Sequence, residues 1–269
     1  RLYPSFSRIN ANLIVVKDLF VSFDLIRNDL MLKENFNSEM VNQVPKFSKS
    51  IILDNVYFNF GDKKILRGVS FEIFKGQFVA LVGKSGSGKS TIIDLIMGLL
   101  TANKGKIKID EIELNLEKFN YKKLFGYVPQ DIYLLDDSIK RNIALGVDDK
   151  DIDYNRLNDA INLSQLDKFL KKEGNDINSM VGNRGIKISG GELQRVGIAR
   201  ALYSDPEIII LDEATANLDH DTAISFLDSL NSFKKEKTII FATHQPQLIK
   251  KCDKVYYVNE GDVSEKDKI

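Results

Sequence analysis

The sequence predicts an α/β fold built on a parallel β-sheet, and three observations support this prediction. Apolar runs typical of strands buried in a sheet occur at 78–82, 125–128, 208–211, 238–243 and 255–258. Helically spaced apolar residues follow the first run, at 91–100. A loop rich in glycine, 83–90, connects that run to that helix. The order strand, glycine-rich loop and helix is the arrangement that a phosphate-binding loop requires.

The loop reads Gly-Lys-Ser-Gly-Ser-Gly-Lys-Ser and fits the P-loop pattern. Its glycines let the backbone approach phosphate oxygens, and its amides and the following helix N-terminus attract anions. Lys89 can reach the β- and γ-phosphates, and the Ser90 hydroxyl can ligate Mg²⁺. The alternative, a Gly/Ser turn that binds nothing, is disfavoured by the flanking strand and helix. The predicted nucleotide-binding residues of this region are Gly83, Lys84, Ser85, Gly86, Ser87, Gly88, Lys89, Ser90 and Thr91.

Composition limits the classes of function. The 269 residues suffice for one large domain or two small ones. Lys plus Arg and Asp plus Glu both number 38, so the charge balance gives no support for nucleic-acid binding. The single cysteine, Cys252, excludes an internal disulfide and is compatible with a reducing compartment. The chain begins with Arg1 and shows neither a secretory signal nor an apolar run of bilayer length, so we expect a fragment of a longer protein.

The first 49 residues differ from the rest of the chain. Apolar residues at intervals of three and four, with one longer gap at Arg27, predict an amphipathic helix, and they are Ile9, Leu13, Val16, Phe20, Phe23 and Leu30. Lys17, Asp18 and Asp24 argue against a membrane span through its middle. Such a helix packs either on its own domain or on a partner, and the sequence leaves both open. The polar stretch 35–49 indicates a linker.

An antiparallel sheet is predicted next to the P-loop unit. Residues 51–60 alternate between apolar and polar, 61–64 carry a turn signal, and 65–74 can return as a second strand. Residues 105–114 alternate again, with a turn at 110–111. These strands belong to an antiparallel edge of the fold.

Residues 131–204 differ from the strand-rich sequence before them, and their pattern predicts a helical subdomain. Helical patterns occur at 138–145, 154–163, 166–170 and 193–203, with polar connections between them. Asp205-Pro206 ends the last of these helices.

Two carboxylates follow the apolar run 208–211. Asp212, at the end of a buried strand beside the P-loop, can hold Mg²⁺ directly or through water. Glu213 can position and deprotonate an attacking water. An acidic pair after an apolar strand is common by chance, but together with a P-loop it favours a nucleotide site.

From about residue 50 the chain resembles the nucleotide-binding domain of ATP-binding cassette (ABC) transporters. Residues 188–192, Ile-Ser-Gly-Gly-Glu, resemble the signature motif, and 211–219 resemble a Walker B motif that continues into the D-loop. Gln130 resembles the Q-loop glutamine, and His244 resembles the switch histidine. Phe60 stands where the family places an aromatic residue that stacks on adenine. The motifs occur in the family's order across residues 50–269.

The resemblance implies a P-loop NTPase (RecA-like) core with an antiparallel β subdomain and a helical subdomain at about 131–204. Residues 1–49 would then be the end of a membrane domain. It implies that Glu213, His244 and Lys89 are catalytic, with ATP and Mg²⁺ as cofactors. Ser90, Gln130 and Asp212 would serve the metal. The residues implied to act on the nucleotide of an opposite subunit are Ser189, Gly190, Gly191, Glu192 and Asp219.

The signature region also has a purely structural interpretation. Ser189 and Glu192 fit a capping box, and the two glycines between them leave a helix N-terminus bare enough for a phosphate. The family usually has Gln at position 192 and Leu at 188. A carboxylate at 192 would repel a nearby γ-phosphate, whereas the cost is small if it caps backward. Asn183 stands where exporters usually have an acid.

Two stretches resemble the exporter branch of the family. Residues 137–143 resemble its pattern after the Q-loop, and residues 1–9 resemble the cytoplasmic end of its last membrane helix. The second likeness is to exporters of lipid-linked oligosaccharides and peptides. The implied function is ATP hydrolysis that powers export or flipping, by two nucleotide-binding domains paired head-to-tail around two Mg-ATP. The transmembrane domain is absent from this chain, the location implied is the cytoplasmic face of the inner membrane, and no nucleic acid takes part.

Two rival functions remain to be distinguished. A soluble ABC ATPase of the DNA-repair or translation type would predict a long coiled coil, a basic face or a tandem second cassette, and the sequence shows none of these. A regulatory module that binds nucleotide without hydrolysis would lack a base, whereas Glu213 is present. The substrate, the direction of transport and the identity of the second subunit stay open.

Overall fold

The computed structural model describes residues 2–34, 45–114, 121–182, 188–215, 218, 220–231 and 236–265. The chain divides into two compact units, Arg1–Gln43 and Val44–Ile269. The α-helices in the described residues are α1 (Leu2–Glu34), α2 (Lys89–Ile96), α3 (Ile139–Ile143), α4 (Tyr154–Leu163), α5 (Leu166–Glu173), α6 (Gly190–Tyr203) and α7 (His220–Asn231). The strands are β1 (Ser50–Phe60), β2 (Lys63–Phe74), β3 (Phe78–Val82), β4 (Lys104–Ile109), β5 (Ile112–Glu113), β6 (Phe125–Val128), β7 (Ile208–Asp212), β8 (Thr238–Thr243), β9 (Lys254–Asn259) and β10 (Asp262–Glu265).

The first unit contains α1, which confirms the predicted helix. The prediction of a single apolar stripe is wrong, because Leu13, Ile14, Val15 and Val16 are consecutive apolar residues. Each residue turns an α-helix by about 100°, so four in a row point in all directions around the axis. None of the described helices combines the length and the apolar character that a membrane crossing requires.

The second unit begins with the predicted antiparallel sheet, whose strand order is β2-β1-β4-β5. This unit starts at Val44 rather than at the predicted residue 50. The reason is that Phe47 is fully buried and that the Asp110 carboxylate accepts hydrogen bonds from the backbone N–H groups of residues 48–50, at 2.7–3.0 Å. The end of the stretch interpreted as a linker is therefore fixed to the sheet.

The core is a six-stranded sheet with the order β10-β9-β3-β8-β7-β6. Strands β9, β3, β8, β7 and β6 are parallel, and β10 is antiparallel to β9. Every residue of β3, β7 and β8 is buried, which confirms the prediction from the apolar runs. Parallel strands have their carboxyl ends at one edge, and ligands of open α/β sheets bind outside that edge.

Helix α2 ends at Ile96, four residues before the predicted end. Gly98 adopts a left-handed conformation with φ of 72°. Its N–H donates to the Leu95 carbonyl at 3.1 Å, and the Leu99 N–H donates to the Asp94 carbonyl at 2.8 Å. This pair of bonds is a Schellman motif, which closes the helix at a glycine.

The helical subdomain holds α3 to α6, close to the predicted positions, and α4 has the predicted bounds. Helix α6 begins at Gly190, three residues before the apolar pattern suggested, because Ser189 caps it. The loop 183–187, which includes Asn183, lies outside the described residues. Helix α7 was not predicted.

Candidate nucleotide-binding site

The glycine-rich loop leads from β3 directly into α2 and leaves no room for side chains at its start. A Cβ atom on Gly83 would lie 2.3 Å from the Val258 carbonyl oxygen and 2.6 Å from Ser87 Oγ. Gly88 is the N-cap residue of α2, with φ of 112°, and no side chain caps the helix. The first N–H groups of α2 are therefore without a side-chain acceptor at this end, which is the arrangement that binds anions.

Lys89 places its ammonium group against this loop. The side chain is only 4% exposed, and Nζ donates to the carbonyl oxygens of Gly83 and Lys84 at 3.0 and 3.1 Å. Nζ also pairs with Glu213 Oε1 at 3.2 Å. Ser87 Oγ is buried and has no hydrogen-bond partner in the described part of the chain. A buried polar atom without a partner, beside a cation and free amides, fits a bound phosphate group.

Asp212, the last residue of β7, is buried, with 6% of the residue exposed. The Ser90 and Tyr127 side chains act on this carboxyl group and lower its pKa, and Oδ1 has no hydrogen-bond partner among the described residues. Burial raises the pKa of Asp212 above its usual range and raises that of Tyr127 to about 12. Burial and the Asp212 charge together also raise the pKa of Asp94. An unpartnered carboxylate oxygen beside a hydroxyl is a donor set for a hard cation, so these residues fit Mg²⁺.

Glu213 lies between two other predicted residues. Its backbone N–H donates to the Ala242 carbonyl at 3.0 Å, and its φ of 51° is in the left-handed region that side-chain-bearing residues seldom adopt. Its Oε1 meets Lys89, and its Oε2 lies 3.3 Å from His244 Nδ1. The ends of β3, β7 and β8 thus bring Lys89, Glu213 and His244 into one chain of contacts. A carboxylate held this way can accept a proton from water.

Phe60 and Gln130 lie at the margins of the described site. Phe60 is 55% exposed at the end of β1, and its ring packs edge-on against Phe58 with the centroids 4.8 Å apart. A broad aromatic surface is therefore open for stacking. The Gln130 side chain is exposed, and the structure gives it no hydrogen bond to Asp212 or Ser90.

The signature residues form the N-terminus of α6. Ser189 Oγ accepts from the Glu192 N–H at 3.4 Å, and the Glu192 carboxylate accepts from the Ser189 N–H at 2.7 Å. The capping box is complete, so the Glu192 carboxylate turns back onto its own helix. Ser189 and Gly190 are exposed and Gly191 is partly so. Asp219 lies outside the described residues.

Sequence reasoning missed the contacts by which α6 holds the segment after Gln130. Gln194 is buried, and its Nε2 donates to the Gln130 carbonyl at 3.2 Å. One turn along the helix, a Cβ on Gly197 would lie 2.2 Å from Ile132 Cδ1, so only glycine allows the two to approach this closely. A polar residue within an otherwise buried helix face was the available signal for Gln194.

A second set of contacts involves Asn142 and Arg200. Asn142 is fully buried. Its side-chain Oδ1 accepts a hydrogen bond from the Leu135 N–H at 2.8 Å, and its Nδ2 donates to the Leu135 carbonyl at 3.0 Å. Arg200, near the end of α6, donates to the Asn142 carbonyl at 2.8 Å and to the Tyr133 carbonyl at 3.1 Å. Helix α6 therefore fixes the segment 130–142 at both of its ends.

Comparisons with known proteins identify the family of this chain. A family model described as ABC transporter matches residues 66–216. The chain is 35% identical over 229 residues to an ATP-dependent lipid A-core flippase of Francisella tularensis subsp. tularensis (strain SCHU S4 / Schu 4), covering 84% of this chain and 37% of the relative. It is 38% identical over 208 residues to an ATP-dependent lipid A-core flippase of Vibrio vulnificus (strain CMCP6), covering 76% of this chain and 35% of the relative.

Among solved structures, a bacterial Atm1-family ABC exporter with ATP bound superposes with a TM-score of 0.76 at 32% identity, covering 91% of this chain and 44% of that one. These relatives do not favour a soluble repair or translation ATPase, or a module without hydrolysis. The predicted P-loop fold with its antiparallel and helical subdomains is confirmed. The chain belongs to the ABC transporter family and corresponds to its ATP-binding ATPase domain.

Proposed function

We propose that this chain is the ATPase motor of an exporter or flippase and that it works as a head-to-tail pair around two Mg-ATP. The observation that carries this proposal is the contact chain from Lys89 through Glu213 to His244 beside the P-loop. The chain spans about a third of the length of the curated relatives, at 37% and 35%. Transport, its substrate and the partner domains are therefore parts of the proposal.

In this proposal the phosphates of ATP bind the loop amides of 83–90 and the Lys89 ammonium. Ser90 and Asp212 would hold Mg²⁺, supported by the unpartnered Asp212 Oδ1, and Gln130 would be the third ligand. The metal would neutralise charge on the β- and γ-phosphate oxygens. Thr91, in the first turn of α2, contributes its N–H to the same anion site.

Glu213 would take the proton of the attacking water, and His244 would steady the γ-phosphate. The left-handed backbone and the 3.0 Å bond to β8 hold the Glu213 carboxylate at the sheet edge. The Lys89 ammonium, which contacts both Glu213 and the loop, would then lie between the base and the phosphates. This arrangement supports a domain that hydrolyses ATP rather than one that only binds it.

The second copy would supply the N-terminus of α6 to the same nucleotide. Ser189, Gly190 and Gly191 would contact the γ-phosphate across the pair, with Asp219 near the contact. Support comes from the exposure of the helix start and from Glu192, whose carboxylate is occupied by its own capping box. Because the Glu192 carboxylate is directed at its own helix, its cost to phosphate binding should be small.

Mixing two inactive variants tests this arrangement in trans. Lys89→Ala and Ser189→Ala should each abolish turnover alone, because each spoils both sites of its own dimer. In an equal mixture half of the dimers are mixed, and one of their two sites has both residues intact. About a quarter of the parent turnover should return. Phosphate release at equal total protein measures it.

The control for this test mixes Lys89→Ala with the double variant Lys89→Ala/Ser189→Ala, where no intact site can form. Recovery in the control would show contamination. No recovery in the first mixture would show that Ser189 acts within its own chain or not at all, and the head-to-tail pair would be abandoned.

Phe60→Ala should weaken ATP binding while Phe60→Tyr should not. Stacking of a base on an aromatic ring contributes about 1–3 kcal/mol, so the dissociation constant should rise roughly 5- to 150-fold in the alanine variant. Fluorescence titration with a labelled ATP analogue measures this constant. Equal affinity of the alanine variant would remove Phe60 from the adenine site.

The transmembrane partner would dock beside α3, at the cytoplasmic face of the membrane. Tyr133 is 82% exposed, and Leu135, Leu145 and Met180 are also exposed apolar residues. A backbone bridge between Ser138 and Met180 places the last of these beside the others. The reading frame around this chain, or a neighbouring one, should encode about six apolar spans of bilayer length. Their absence from the locus would contradict the coupling to transport.

A further inference from the structure

The antiparallel sheet carries a groove that no part of the proposed function uses. Its volume is about 620 Å³, within the size range of small-molecule sites, and it is lined by Tyr57, Asn59, Lys64, Leu66, Arg67, Asn103 and Lys104. Side chains alternate between the two faces of a strand. Phe58 is buried and Phe60 packs on it, whereas Tyr57 and Asn59 belong to the groove face. Tyr57 and Asn59 therefore face away from Phe60, whereas the buried Leu66 at the floor of the groove lies against Gly88 of the glycine-rich loop.

Three cations in this groove have no acid partner in the described part of the chain: Lys64, Arg67 and Lys104. No described aspartate or glutamate lines the groove either. Three other lysines in or next to the same sheet each pair with a carboxylate, as Lys49–Glu111, Lys106–Glu113 and Lys108–Asp54. In a chain with equal numbers of acidic and basic residues, this groove concentrates uncompensated positive charge.

The strand register sets the spacing of these charges. Tyr57 lies opposite Arg67 on one side and opposite Lys104 on the other. The Cα atoms of these two residues are therefore two strand spacings apart, about 10 Å. Lys64 lies opposite Asn59, two residues further along, which adds about 7 Å in the strand direction. The three backbone positions that carry these side chains frame an area larger than a single phosphate group.

The centre of the groove offers apolar contact and oriented amides. The Tyr57 side chain, which belongs to a residue that is 38% exposed, lies between Arg67 and Lys104. Asn103 accepts a hydrogen bond from the Asn59 N–H at 2.7 Å through Oδ1, so its NH₂ group is the part left to donate to a ligand. A ligand with an organic body and several anionic groups matches this combination.

We propose that this groove binds a ligand that carries two or more phosphate groups. The source would be a soluble phosphorylated molecule or the headgroups of an anionic lipid surface. Arginine binds phosphate through two parallel hydrogen bonds and lysine as a point charge, and together they recognise the separated phosphates. The proposal does not depend on the proposed function.

Binding is tested in a Lys89→Ala background, which silences the P-loop as a competing phosphate site. Inositol hexakisphosphate is the soluble probe, measured by isothermal titration. Vesicles of phosphatidylcholine with or without phosphatidylglycerol are the lipid probe, measured by cosedimentation. The groove variant is Lys64→Gln/Arg67→Gln/Lys104→Gln. The matched control is Lys49→Gln/Lys106→Gln/Lys108→Gln, which removes equal charge from the same sheet.

The groove variant should lose about tenfold or more in affinity for the probe that binds, and the control should lose little. Binding of the soluble probe alone assigns the source to a soluble molecule, and binding of anionic vesicles alone assigns it to lipid. Failure of both probes, or equal losses in the two variants, would overturn the proposal. If the groove variant melts early, Lys104→Glu reverses one exposed charge and must still weaken binding.

Discussion

Replacing Glu213 by Gln should lower ATP hydrolysis by about 10²–10⁴-fold and leave Mg-ATP binding at least as tight as in the parent chain. Glutamine keeps the size and hydrogen bonding of the side chain and removes the charge that accepts the proton. The carboxylate is held between Lys89 and His244, at 3.2 and 3.3 Å, so the change is confined to one point of the site. Phosphate release and isothermal titration measure the two quantities.

Glu207→Gln is the matched control, since this acid lies just before β7, at the other end of the strand from Glu213, and pairs with Lys75 near the surface. An ion pair of that exposure contributes little, so turnover should be unchanged. If the Glu213 variant keeps full turnover, the assignment of the base is wrong.

The Glu213 variant should also pair in the presence of Mg-ATP, because unhydrolysed nucleotide would hold the α6 N-terminus of one copy on the P-loop of the other. Sedimentation should show a dimer with Mg-ATP and mainly monomer without it. Adding Ser189→Ala should weaken the dimer. A monomer under both conditions would leave the base in place and remove ATP-dependent pairing for this chain alone.

Lys89→Ala should abolish high-affinity ATP binding. Hydrogen bonds from a charged donor contribute roughly 1.5–3 kcal/mol each, so losing those to two phosphates should weaken affinity by at least about 10²-fold. The variant also leaves the Glu213 carboxylate, 13% exposed, facing the phosphates without its counter-charge. Titration with Mg-ATP measures the loss, and thermal unfolding checks that the chain remains folded.

Lys84→Ala separates the role of the ammonium group from that of the loop backbone. The Lys84 side chain is exposed, and its contact with Lys89 uses the backbone carbonyl. This variant should therefore keep most of its affinity for Mg-ATP. Equal affinity in Lys89→Ala and the parent would remove the P-loop from the proposed mechanism.

Much of the fold follows from local pattern. The buried runs of β3, β7 and β8 and the alternation in β1 and β2 are periodic signals that tertiary packing does not reverse. The cluster of Lys89, Glu213 and His244 was predictable because each follows a parallel strand, and the carboxyl ends of such strands meet. The cap at Ser189 was recognisable from its spacing to Glu192.

The remaining features depend on packing between distant segments. Nothing local in the sequence tells that Asn142 is buried or that Arg200 reaches its carbonyl, since both contacts arise when α6 packs against the segment 130–142. Phe47 fell in a polar stretch, and its burial depends on the sheet beneath it. Helix α7 has buried apolar residues at helical intervals, Ala223, Phe226, Leu227 and Leu230, and this signal was overlooked in the sequence.

The hold of α6 on the segment 130–142 has a thermodynamic consequence. Gln194, Gly197 and Arg200 join the two so closely that the segment cannot shift without disturbing the helix that begins at Ser189. When two sites share one such equilibrium, linkage is reciprocal. A ligand on the α6 N-terminus and a protein on the Tyr133 surface would each change the affinity for the other by the same factor. The coupling free energy transmitted through α6 would then be the same whichever of the two binds first.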